Sequence, residues 1–164
     1  MNTDRIEKQI LLRAPRERVW RAIADSSQFG QWFGVSVQGP FVAGKRVAGR
    51  IVPTSVDPEV AKMQEPFVGM ACDFYVDRVE PMDRFSFRWH PGGEEVRPDA
   101  PEDEMTTVMF ELKDASGGVL LTITETGFDR IPLERRAKAF ADNEGGWEMQ
   151  TRLIEKYLAQ HANG

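Results

Sequence analysis

Apolar and polar positions alternate most cleanly at residues 84–90, "RFSFRWH", where Phe85, Phe87 and Trp89 point one way and Arg84, Ser86 and Arg88 the other. A period of two marks a strand with one buried face. Weaker forms of the same period recur along the chain. Residues 5–13 put Ile6, Ile10 and Leu12 on one face, and residues 106–114 do the same with Val108, Phe110 and Leu112. Residues 119–128 turn Val119, Leu121 and Ile123 inward, and Glu125 falls in phase with them. Residues 68–81 predict one long strand, with Met70, Cys72, Phe74 and Val76 inside. Two further strands, 35–39 and 45–52, flank "PFVAG" as a hairpin. Residues 53–66 carry three prolines and predict a loop, and "SGG" at 116–118 predicts a turn.

Two regions have a helical period instead. Pro15 suits the start of a helix, Glu17 suits its positive end, and Val19, Trp20 and Ile23 form an apolar stripe. "SSQFGQWFG" continues as a helical turn that ends at Gly34. The last element runs from Pro132 to about Ala159, roughly 40 Å at the usual rise per residue. Leu133, Ala137, Phe140, Glu144, Trp147, Thr151, Ile154 and Leu158 follow 4-3-4-3 spacing, which predicts a single inward face. The order is β-α-α-β6-α. Its fold class is α+β: an antiparallel sheet covered by one long C-terminal helix, in a single domain spanning 1–164. A sheet strongly twisted about one helix leaves a gap between them, so a cavity is expected there.

The composition narrows the function. Lys and Arg total 21 against 26 Asp and Glu, a net charge of −5 with no basic face, which argues against a nucleic-acid partner. Residues 91–104 hold six acids and one Arg, so this segment alone accounts for the net charge; it reads as a solvated loop. One cysteine, Cys72, allows no intrachain disulfide. No stretch reaches the length of a membrane span and the N-terminus shows no secretory core, so the expectation is a cytoplasmic protein. Neither His90 nor His161 belongs to a cluster with metal-ligand spacing, and no glycine-rich loop has the pattern of a phosphate cradle. No metal or other cofactor is expected.

The candidate site follows from the inner faces. Trp32, Phe74, Phe87, Trp89, Phe110 and Phe140 are expected as a set to form cavity wall, although any one such residue is more often plain core. Glu125 and Glu144 are carboxylates on apolar faces, and a buried carboxylate needs partners. Each is expected to pair with an Arg or a backbone amide, to reach water near the rim, or to meet a polar group of a ligand. Gly145 and Gly146 interrupt the last helix, which costs about 1 kcal/mol each relative to Ala. Close approach to the sheet would explain them, and so would a bend that aims Glu144 and Trp147 into a cavity.

The stretches "ILLRAPRERVWRAIADSSQFGQWFG", "TITETGFDRIP" and "NEGGW" resemble the START-like helix-grip superfamily, SRPBCC. Within it they are similar to the bacterial branch related to the C-terminal domain of the activator of the heat-shock-protein-90 ATPase. The resemblance implies a curved sheet gripping the last helix, with a cavity for a small apolar or amphipathic molecule. The expected function is therefore non-enzymatic ligand binding. Two alternatives stand beside it. One is a polyketide cyclase or aromatase-like enzyme using Glu125 or Glu144 as acid or base. The other is a cochaperone-like protein-interaction module, although the chain has no room for the cochaperone's further N-terminal domain.

Overall fold

The computed structural model describes residues 4–91 and 100–161. Along the chain lie β1 (Arg5–Leu12), α1 (Arg16–Ala24), α2 (Ser26–Phe33), β2 (Val35–Val37), β3 (Arg46–Val47), β4 (Gly49–Ile51) and α3 (Pro58–Gln64). They are followed by β5 (Phe74–Glu80), β6 (Arg84–Trp89), β7 (Thr106–Ala115), β8 (Gly118–Thr126) and α4 (Leu133–Gln160). Six strands form an antiparallel sheet in the order β1-β8-β7-β6-β5-β3, and α4 covers it. The fold is the α+β helix-grip arrangement. No helix among the described residues is long and apolar enough to cross a membrane.

The alternating strands behave as their pattern requires. In β8 the buried positions are Val119, Leu121, Ile123 and Glu125, while the threonines between them face out. β7 pairs with β8 so that Val108 lies opposite Glu125 and Phe110 opposite Ile123. Aromatic rings fill the inner face: Phe74 packs edge-on to Phe87 at 4.9 Å, and Phe29 packs edge-on to Trp32 at 5.0 Å. Asp25 caps α2 by accepting from the Ser27 and Gln28 amides. Gly34 ends it in the left-handed region at φ 93, where a side chain would be strained.

Three expectations change. Residues 45–52 are not one strand: β3 joins the main sheet beside β5, and β4 pairs with β2 in a separate two-stranded sheet. The crossing is tight at Gly49, where a Cβ would sit 2.5 Å from the Cys72 carbonyl oxygen. The long strand at 68–81 is shortened to β5, because residues 69–72 instead bond to β4 through Gly69, Met70 and Cys72. Residues 53–66 are not all loop. Asp57 caps α3 through the Glu59 and Val60 amides, and Pro58 opens the helix, where its missing N–H is no loss. Of the acidic connection, residues 92–99 lie outside the described residues.

Candidate functional site

Glu125 is completely buried, and four side chains converge on it. Trp147 Nε1 donates to Oε1 at 2.8 Å, and Trp89 Nε1 donates to Oε2 at 2.8 Å. Thr106 Oγ1 donates to Oε2 at 2.5 Å. Asn143 Nδ2 spans both oxygens at 2.9 and 3.0 Å. The sheet brings three of these groups together: Trp89 pairs with Thr106 across β6 and β7, and Glu125 lies on the next strand facing the same way. α4 supplies the other two, one helical turn apart. A carboxylate oxygen accepts, and here every partner among the described residues is a neutral donor, so the hub satisfies both oxygens of the buried group.

A cavity of about 500 Å³ opens beside this hub. Trp89 and Asn143 belong to both, so the hub forms part of the cavity's inner wall. Phe33, Tyr75 and Phe67 add rings, and Met63, Met70 and Met149 add flexible thioethers that adapt to irregular shapes. Trp89 lies 6.0 Å from Phe33 and 5.8 Å from Trp147, ring centre to ring centre. Polar groups gather at one side. Arg46 binds Asp73 at 2.5 Å, and that hydrogen bond raises the guanidinium above its ordinary range. Cys72 is half-buried in the same wall, and burial, helped by the neighbouring Asp73 charge, pushes its thiol up to about 12.

α3 closes one flank of the cavity. Gln64 ties it down, accepting from the Thr54 amide at 2.7 Å and donating to the Phe33 carbonyl at 3.2 Å. Gly146 forms the opposite wall on α4. A Cβ there, or at Gly145, would meet nothing within 4 Å. These glycines therefore do not exist for close packing, and α4 runs unbroken through both.

The site residues expected from sequence divide into three groups. Trp89, Glu125 and Trp147 come together in the hub. Trp32, Phe74, Phe87 and Phe110 are fully buried in the solid core and do not line the cavity. Phe140 packs against Phe128 at 5.1 Å, away from it. Glu144 requires a correction: it is exposed, and Asn143 is the inward residue. Sequence reading missed Thr106, Asn143 and the three methionines. Thr106 could have been found from its place opposite Trp89. The methionines carry no period that marks them.

A second depression, about 400 Å³, lies on the outer face of β1, β8 and β7. Threonines such as Thr122, Thr124 and Thr126 line it beside charged Arg5, Glu7 and Lys113. It offers little apolar surface to a ligand. Among the described residues, no group of three His, Cys, Asp or Glu side chains could hold a metal ion.

Comparison with known proteins agrees with this architecture. The fold matches protein MLL2253 from Mesorhizobium loti with a TM-score of 0.69 at 21% identity, over 96% of this chain and 98% of that one. It matches the Aha1 dimer from Colwellia psychrerythraea with a TM-score of 0.66 at 16% identity, over 98% of each chain. A protein encoded by gene BPP1335 of Bordetella parapertussis is similar at 25% identity and a TM-score of 0.64, over 96% of this chain and 76% of that one. No functionally curated protein matches the sequence. Residues 13–159 match the family described as activator of Hsp90 ATPase homolog 1-like protein, and the chain belongs to that family within the helix-grip superfamily.

Proposed function

We propose that the protein binds a small apolar or amphipathic molecule in the cavity between α3, β5 and α4, and does so without catalysing a reaction. One observation carries this reading: the cavity of about 500 Å³, walled by aromatic and methionine side chains and backed by a polar hub. Its volume lies within the range of about 300–1,000 Å³ usual for small-molecule sites. Met63 and Phe67 are exposed at its edge, so a ligand would cover apolar surface that water now wets. The single cysteine and the absence of a spanning helix among the described residues support work in the cytoplasm.

The enzyme alternative needs a proton carrier in contact with substrate. Both oxygens of Glu125 are occupied by donors and closed to solvent, and Glu144 sits on the surface. This favours Glu125 as scaffold. The protein-interaction alternative calls for a cavity filled by the protein's own side chains, whereas here the space is open.

A thermal-shift and fluorescence screen of apolar and amphipathic compounds tests the reading, repeated on Gly146→Leu. A Cβ at this wall position meets no neighbour within 4 Å, so the backbone has room to carry the new side chain. Hits on the native protein should lose at least about tenfold in affinity in the variant. A screen without hits, or hits that bind the variant equally well, would reject the site.

A further inference from the structure

Most charges at the cavity cancel in pairs. Arg46 is held by Asp73 at 2.5 Å, and Asp142 is held by Lys138 at 2.8 Å. His90 Nε2 is 2.8 Å from the Pro101 carbonyl oxygen, and Gln64 is engaged at both ends of its amide. Glu125 differs. Its partners among the described residues are two indoles, an amide and a hydroxyl, all neutral. It is fully buried, so water and salt screen its charge poorly.

That charge stands one side chain behind the cavity. Trp89 and Asn143 hold the carboxylate and also form the wall. An indole that donates its N–H to an anion gains electron density in its ring, and the face of such a ring attracts a cation more strongly. Tyr75 is a second ring on the same wall, and the Arg46 guanidinium already sits 5.3 Å from its centre. Among the described residues no cation pairs with Glu125, and the ring polarised by it draws a cation to the wall, while the Arg46 charge on the neighbouring ring is balanced by Asp73.

We infer that the cavity selects a cationic amphiphile, an ammonium group joined to an apolar or aromatic body, over neutral or anionic molecules of the same shape. The inference rests on the proposed small-molecule site and narrows its ligand class. Glu125 acts through Trp89 and the local field and need not touch the ligand.

Three probes decide it: benzyltrimethylammonium, its uncharged isostere neopentylbenzene, and phenylacetate as a smaller anionic control. Affinities are measured by tryptophan fluorescence and calorimetry at fixed ionic strength. The ammonium should bind at least about fivefold tighter than the isostere, with phenylacetate weakest. In Glu125→Gln, which keeps the shape and removes the charge, the preference should fall towards one. If that variant does not fold, the series on the native protein still decides, with Trp89→Phe as the second variant expected to weaken the preference. Equal or tighter binding of the isostere or of phenylacetate would overturn the cation preference and leave the small-molecule site standing. A preference retained in a folded Glu125→Gln would overturn Glu125 as its source. Failure of all three probes would remove the small-molecule site and this inference with it.

Discussion

Glu125 sits where a carboxylate is costly, with no exposure and no cation within reach of its oxygens among the described residues. What makes it tolerable is that two strands and α4 each deliver a donor to it. The hub therefore fastens the helix to the sheet at this end of the molecule. Removing the carboxylate takes away the acceptor of two buried donors, the Thr106 hydroxyl and the Trp147 indole, and each such group costs about 1–3 kcal/mol. Glu125→Ala should then lower stability by at least about 2 kcal/mol in urea unfolding, with Glu125→Gln less damaging. A loss below about 1 kcal/mol for the Ala variant would mean the hub is not what holds α4 down.

At the scale of elements, the cleanly alternating strands β6, β7 and β8 are easy to read, whereas the strands at 45–52 and 68–81 and the phase of α4 are harder. β8 placed Glu125 inward on period alone, and the buried set agrees residue by residue. α4 misled because its 4-3-4-3 spacing is a strict heptad. A straight helix turns about 20° away from such a repeat every seven residues. Over 28 residues the register drifts off the sheet: Trp147, Thr151, Ile154 and Leu158 are buried, while Leu133, Ala137 and Glu144 are exposed. Asn143 takes the inward place, so the polar contact was expected at the wrong neighbour. α3 was missed because three prolines suggest a loop, although Asp57 followed by Pro58 and Glu59 is a helix-start signature. The cavity wall was the least legible part, since Met63, Met70 and Met149 come from a helix, a connection and α4 with no shared period.

α3 buries no residue of its own, so its attachments matter more than its core. One of them is Asp57, bound to Lys156 on α4 at 2.5 Å. The Lys156 hydrogen bond, then the Val60 amide, hold the Asp57 carboxyl below its ordinary value. A depressed carboxyl stabilises the folded arrangement above its unfolded value of about 3.9 and stops doing so as pH falls through the lower folded value. Backbone NMR shifts of 57–64 should therefore report a local change below about pH 3.9 while the core strands stay fixed. Asp57→Asn, which still caps the helix but cannot titrate, should abolish that change. A transition that persists in the variant would assign it to another group.

For the molecule as a whole, the aromatic floor beneath α4 is solid. The open volume lies at one flank, where the helix, the short sheet-crossing segment at 69–72 and α3 meet over Trp89. The terminal helix thus does two jobs along its length. Its C-terminal half closes the core, and its middle, through Asn143, Gly146 and Met149, walls a cavity. Gly146 is legible in this light: it keeps volume free where a side chain would occupy it. Binding in that flank is the claim on which the functional account stands.

Methionine methyl NMR tests that claim directly, because the chain carries its own controls. Met63, Met70 and Met149 line the cavity, whereas Met82, Met105 and Met109 lie outside its wall. Titration with an aromatic ammonium such as benzyltrimethylammonium should shift the first three methyl signals, with saturation at a common affinity, and leave the other three unmoved. Shifts confined to Met109, on the outer face of the sheet, or no saturable shift at Met63, Met70 and Met149, would contradict the account.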